Sequence, residues 1–176
     1  MTFTPIYPNY LTEGVSLLEA AFPQIERRPT SIWKQMAMDH SMFHALAIIE
    51  QTHFCGILTY WDLGNFLYIE HFAISADLRN GGYGKTALET FLYEHQHTNI
   101  VLEVEIPDND LANRRIRFYE RNGFSLIEER DYLQPPYHPD YDYLPLKLMA
   151  TQSADTRAHY DEIVDKIHRI VYGVKK

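Results

Sequence analysis

Phe66-Leu-Tyr-Ile-Glu-His-Phe-Ala-Ile74, continued by Ser75-Ala-Asp-Leu-Arg79-Asn-Gly-Gly82-Tyr-Gly84-Lys-Thr86, is the stretch on which the fold turns. Its first nine residues are rich in aromatic and β-branched side chains, the composition of a strand. Glycines then break the pattern, and Lys85 to His95 resumes with Ala87, Leu88, Phe91 and Leu92 at helical spacing. A strand, a glycine loop and a helix start put free backbone N–H groups and the positive end of a helix dipole in one place, which favours an anion. Arg79 and Lys85 add local positive charge to a chain whose formal net charge is -8.

Upstream, Thr2 to Tyr7 reads as a first strand. Helices are predicted over Asn9 to Phe22 and over Thr30 to His40, the latter with Trp33, Met36 and Ala37 on one face. Phe43 to Ile49 and Phe54 to Trp61 are apolar runs joined by a polar turn, so they form a hairpin, and Asp62 to Asn65 turns the chain into the strand at Phe66. Downstream, Ile100 to Ile106 is a strand stopped by Pro107, and Asn109 to Asn122 is a helix ended by Gly123. Phe124 to Tyr132 and Asp140 to Met149 read as two last strands around the loop Gln134-Pro-Pro-Tyr-His-Pro139. Ser153 to Gly173 places Ile163, Val164, Ile167, Ile170 and Val171 on one stripe, which predicts an amphipathic helix packing on the domain or on a second copy of it. A homodimer follows as an option.

The 176 residues fit one domain. No apolar run approaches the ~20 residues of a membrane helix, and the N-terminus has neither a basic start nor an apolar stretch, so a cytoplasmic protein with no membrane partner is expected. The acidic balance argues against nucleic acid as a partner. The single Cys55 offers no internal disulfide and no thiol-rich metal site. The nine histidines show no helical pairing with a carboxylate set, so no metal is expected. His71 should point away from Glu70, to the opposite face of its strand.

Three phosphate motifs compete for the loop. A P-loop ending in Gly84-Lys85-Thr86 needs a glycine where Arg79 stands. The dinucleotide fingerprint has Ala87 at its third glycine and would follow a first parallel strand, not a meander. The pattern [Q/R]-x-x-G-x-[G/A] is matched by Arg79-Asn-Gly-Gly82-Tyr-Gly84, and here the chain resembles the GNAT (Gcn5-related N-acetyltransferase) superfamily. The resemblance extends over Tyr68 to Ile74, Leu102-Glu-Val-Glu105 and Phe118-Tyr-Glu-Arg-Asn-Gly-Phe124, in the family's order. It implies an α/β (α+β) GNAT fold: a mixed, mostly antiparallel sheet of about seven strands flanked by helices, over residues 1–150, with 151–176 as a C-terminal helical extension.

By that resemblance the protein is an N-acetyltransferase using acetyl-CoA, with a small-molecule amine or peptide as acceptor. The backbone of Phe72, Ala73 and Ile74 would pair with the pantetheine arm. Arg79, Asn80, Gly81, Gly82, Tyr83 and Gly84 would hold the pyrophosphate, supported by Lys85 and Thr86. The thioester would sit beside Tyr68, Glu70, Glu103 and Glu105. An alkylammonium must lose a proton before it attacks, so a carboxylate base is wanted. Glu70, sharing a face with Phe66, Tyr68, Phe72 and Ile74, is the first choice; the other reading leaves it exposed on a sheet edge. Glu103 and Glu105 are alternatives for the base or binders of a cationic acceptor. Tyr119 matches the family's proton donor to the leaving thiolate. Position 112 departs from the pattern: it is alanine where many relatives carry asparagine, and the nearest asparagine is Asn113. A second reading keeps the ligand and drops the chemistry, as an acyl-CoA-binding module.

Overall fold

The computed structural model describes residues 1–175. Two compact units divide them: residues 1–62 with 69–97, and residues 63–68 with 98 onward.

In the first unit β1 (Thr2–Pro5) pairs antiparallel with β2 (Phe43–Glu50), and β2 with β3 (His53–Asp62). β3 turns back into β4 (Phe66–Ile74), whose residues from Ile69 belong to this unit. Side chains alternate along β3, and the two faces take different helices. Trp61 faces Phe43 at 5.3 Å between ring centroids, and Phe43 meets the fully buried Trp33 of α2 (Thr30–Asp39) at 6.4 Å. Tyr60 points the other way, onto Phe91 of α3 (Tyr83–Glu94) at 5.2 Å. On the α2 side lies α1 (Leu11–Ala21), which buries Val15, Leu17 and Leu18 and passes so close to Ile6 that a Cβ on Gly14 would lie 2.0 Å from Ile6 Cδ1. Each fully buried large apolar side chain contributes roughly 1.5–3 kcal/mol, so these aromatics are the main support of the unit.

In the second unit β8 (Leu144–Ala150) is central: β5 (Asn99–Glu105) pairs with one edge, and β6 (Ser125–Leu126) and β7 (Tyr132–Gln134) share the other, all antiparallel. The single strand predicted from Phe124 to Tyr132 is therefore two short ones. Its middle, at Glu128 and Arg130, offers backbone carbonyls to Lys147 Nζ at 2.9 and 2.8 Å, and a carbonyl turned toward an ammonium leaves the ladder. Residues 140–143 are likewise outside the last strand. Helix α4 (Asp110–Arg121) begins at Asn109, whose side chain accepts from Ala112 N at 2.9 Å. It ends at Gly123, whose φ of 90° suits a residue without a Cβ.

The predicted C-terminal helix is broken into α5 (Ser153–Ala158), α6 (Tyr160–Lys166) and a π turn, Ile167–Val171. His159, at φ -115°, closes one helix and opens the next. Of the predicted stripe, Ile163, Ile167 and Val171 are buried and are joined by Tyr160, while Val164 and Ile170 are half-buried. Polar pins fix the segment to the head of β5, with Asn99 Nδ2 donating to Thr156 Oγ1 at 2.9 Å and Gln152 N donating to Asn99 Oδ1 at 3.1 Å. No described helix is long and apolar enough to cross a membrane.

Candidate functional site

After β4 the chain makes a short 3-10 turn, Ala76–Leu78, and then two left-handed residues, Asn80 at φ 64° and Gly82 at φ 83°. Asparagine and glycine are the residues that tolerate this region, so the loop's path is encoded locally. Gly82 is the N-cap of α3 and has no side chain with which to cap it. The first N–H groups of an α-helix have no intrahelical partner, and those of α3 follow the exposed Gly81 and Gly82. Nothing stands within 4 Å of where a Gly82 Cβ would be, so the approach is clear. Arg79 Nε donates to Ile74 O at 3.1 Å, tying the loop to the end of β4. Lys85 is 65% exposed and lies 3.6 Å from Glu89, and Thr86 is exposed. This is a backbone cradle shaped for an anion.

Within β4, Phe72 and Ile74 are partly exposed and Ala73 is buried. Glu70 is not an exposed edge residue: its side chain is fully buried and its carboxylate accepts from Arg28, itself 8% exposed. The Arg28 guanidinium also lies over the Trp61 ring, 5.2 Å from the centroid. Strict alternation would separate Glu70 from His71, yet His71 Nδ1 is 3.7 Å from Glu70 Oε2. Both side chains turn toward the polar knot that Arg28 makes at this end of the first unit. His71 is buried, with Nε2 donating to Glu26 O at 3.0 Å and Nδ1 within 3.3 Å of Thr59 Oγ1. A carbonyl can only accept, so Nε2 carries a proton, while burial, which lowers the imidazole's pKa, favours the neutral ring.

The second unit gathers Tyr68, Glu103 and three further tyrosines. Tyr132 donates to Glu103 Oε1, and the Tyr172 hydroxyl lies 2.9 Å from Oε2 and 3.2 Å from Oε1. Tyr68 and Tyr137 reach the Tyr172 oxygen at 3.0 and 3.3 Å. Glu105, two residues along β5, is ion-paired with Arg115 of α4. Tyr119 is buried against Phe118 and Phe124, and burial pushes its hydroxyl up to about 12; Arg115 pulls it down and Glu105 raises it further. Asn113 donates to Asn109 O at 2.8 Å and to Pro107 O at 3.4 Å, so its amide serves the start of α4. Among the described residues no group of three or more His, Cys, Asp or Glu is placed to hold a metal ion.

Sequence reasoning missed Arg28, Tyr132, Tyr137 and Tyr172. Only adjacency in the fold joins them to Glu70 and Glu103; the one available signal was a pair of arginines, Arg27 and Arg28, ahead of a helix in an acidic chain.

The model of the GNAT acetyltransferase family matches residues 11–124. Among solved structures, a Bacteroides thetaiotaomicron protein assigned to the GNAT family is 42% identical, over 99% of this chain and 100% of its own, with a TM-score of 0.93. A spermidine N-acetyltransferase variant from Vibrio cholerae (12% identity, TM-score 0.66) is similar over 85% of this chain and 94% of its own. Arabidopsis thaliana NAA60 in complex with acetyl-CoA (16%, 0.63) is similar over 85% and 96%. At these identities the last two share the fold. No curated protein matches the chain.

Proposed function

Since the chain belongs to the GNAT family of acetyltransferases and is an acyltransferase, we propose that it transfers the acetyl group of acetyl-CoA directly to a primary amine of a small molecule or peptide. The observation that carries this reading is the start of α3, which no side chain caps, with Asn80 and Gly82 left-handed ahead of it. Acetyl-CoA supplies a thioester, already activated toward an amine. Its pyrophosphate would be held by the backbone from Arg79 to Gly84, with Lys85 and Thr86 at the helix start, and its pantetheine by the backbone of Phe72, Ala73 and Ile74.

The rest is proton management. The acceptor must shed a proton, and Glu70 is the proposed base, working through water with Arg28 holding its carboxylate in place. Tyr119 is the proposed donor to the departing thiolate; burial keeps its hydroxyl protonated across the physiological range. Direct transfer is favoured because the single Cys55 is buried in β3 and its thiol is raised by burial, which does not make a nucleophile. The Arg28–Glu70 pair also supports the second reading, a binding module without turnover, because it occupies the first-choice base.

Calorimetric titration with acetyl-CoA, with magnesium-ATP as control, tests the proposal. Micromolar binding of acetyl-CoA that a Gly82→Glu variant abolishes is expected. Binding of ATP alone, or of neither, overturns it, while tight binding with no acetyl transfer to any amine selects the second reading.

A further inference from the structure

His159, where the C-terminal helix breaks, lines a recess of ≈ 370 Å³ that lies wholly within the second unit. Part of the lining is buried and apolar: Phe66, at the start of β4, and Ile163, on α6, are 1% and 2% exposed. Asn99, also buried, has both ends of its amide taken, by Thr156 and by Gln152 N. The rest of the lining is polar and exposed, with Asp155, His159 and Glu162 from the C-terminal segment and Asn65 from the turn before β4. None of these residues belongs to the proposed donor path or to the proposed proton-transfer pair, Glu70 and Tyr119.

Tracing the hydrogens leaves three acceptors on this lining. His159 Nδ1 is 3.1 Å from the Asp155 carbonyl oxygen and 3.2 Å from Asp155 Oδ1. Both oxygens only accept, so Nδ1 carries a hydrogen and Nε2 of the neutral ring keeps a lone pair. Asp155 keeps its second carboxylate oxygen. Glu162 and Lys166 stand four residues apart on α6, in the order that favours an ion pair, yet the Lys166 ammonium goes to Asn65 Oδ1 at 2.8 Å. Among the described residues the Glu162 carboxylate has no partner. Lys166 Nζ lies 5.9 Å from the centre of the Phe66 ring, so that ring is already within reach of positive charge, and two carboxylates outnumber the one ammonium.

A primary ammonium has three N–H donors and an alkyl chain; the recess offers three acceptors beside Phe66 and Ile163. A metal ion does not suit the same set, because no group of three His, Cys, Asp or Glu among the described residues is placed to hold one. Metal–oxygen shells close at about 2.0–2.6 Å, whereas an ammonium bonds its acceptors at about 2.9 Å. The volume lies near the small end of the roughly 300–1,000 Å³ range of ligand pockets, which suits a short-chain amine. We propose that Asp155, His159 and Glu162, with Phe66 and Ile163, form a binding site for a small primary alkylammonium, carried by the C-terminal segment and built from residues that acetyl transfer does not use. The site stands independently of the acetyltransferase reading, since it is tested without acetyl-CoA.

The test is an NMR titration of the backbone amides of the whole chain with n-butylammonium. Tetramethylammonium, which has the charge but no N–H, and n-butanol, which has the chain but no charge, are titrated in parallel. Saturable shifts at Asn65, Asn99, His159 and Ile163 are expected, with n-butylammonium binding about tenfold or more tightly than either control. Glu162→Gln is expected to weaken it about fivefold. Asp161→Asn removes the same charge from the neighbouring position of α6, outside the recess, and should leave the affinity within about twofold. Thermal melts establish that both variants, at exposed positions, are folded. Shifts confined to other parts of the chain, equal binding of tetramethylammonium or n-butanol, or wild-type affinity in folded Glu162→Gln overturns the proposal. Equal weakening by Asp161→Asn and Glu162→Gln also overturns it, because the cation would then be following net charge and not the recess.

Discussion

Arg28, in the turn between α1 and α2, donates to the carboxylate of Glu70 in the middle of β4, and both side chains are buried. The pair fastens the irregular segment ahead of α2 to the strand along which the acyl donor is proposed to lie. Removing one partner leaves an uncompensated buried charge, which costs about 3–5 kcal/mol, whereas replacing both by apolar residues of similar size is close to neutral. Arg28→Ala is therefore expected to lower the free energy of unfolding by about 3 kcal/mol in urea titration. The double variant Arg28→Met with Glu70→Leu is expected to regain most of it while losing acetyl transfer; a double variant no more stable than Arg28→Ala would show that the loss comes from packing on Trp61.

Gly56 bears on the same strand. A Cβ there would lie 2.4 Å from the backbone oxygen of Ala73, 3.0 Å from Ile74 Cδ1 and 3.2 Å from Ile48 Cδ1. A carbonyl in a strand cannot move aside as a side-chain end can, so Gly56→Ala must push β4 away from β3. The expected cost is on the order of 1–3 kcal/mol. Because Ala73 and Ile74 are proposed to pair with the pantetheine, acetyl-CoA affinity should fall with stability, by about tenfold. Gly14→Ala, whose Cβ meets the flexible end of Ile6, is the control that should leave that affinity alone.

Much of this architecture is legible in the sequence, and the parts that are not have a common cause. The bounds of β4 at Phe66 and Ile74 are legible because nine residues, seven of them apolar or aromatic, lie between two turn signals. The start of α3 was readable because Asn80 and Gly82 encode their own backbone. The strand from Phe124 failed because its interruption depends on Lys147, far along the chain. Arg28 and Tyr172 failed for the same reason: their partners are 42 and 69 residues away, and nothing local in a sequence marks such a pairing.

Tyr119 makes a kinetic and a thermodynamic prediction. As proton donor to the thiolate, its loss in Tyr119→Phe should lower kcat by about a hundredfold with little change in acceptor KM. Its hydroxyl is raised from 10 to about 12 in the folded chain, so the folded state holds that proton more tightly than the unfolded one. The associated stability is complete below pH 10 and is lost as pH rises through about 12, a difference of roughly 3 kcal/mol. Urea midpoints at pH 9 and 11 should fall less in Tyr119→Phe than in the wild type. Equal falls would place the alkaline loss elsewhere.

His71 governs the acid side. Burial lowers its pKa below the ordinary 6.5; Glu70 and the Glu26 carbonyl work against that shift, and Arg28 and Arg27 work with it. Burial disfavours the charged imidazole in the folded chain, and the Glu70 carboxylate, 3.7 Å from Nδ1, offsets only part of that cost. Unfolded, the ring titrates near 6.5, so the unfolded state binds the extra proton first. Stability from this group is full above pH 6.5 and falls as pH drops toward the lowered folded value. Urea unfolding at pH 7 and pH 5 should show a loss in the wild type that is smaller in His71→Gln, whose amide keeps a donor for the Glu26 carbonyl. His40, His95 and His168 are also lowered by burial and stay in the variant, so its loss should be reduced but not abolished. An undiminished pH dependence in His71→Gln would assign the acid sensitivity to those three rings instead.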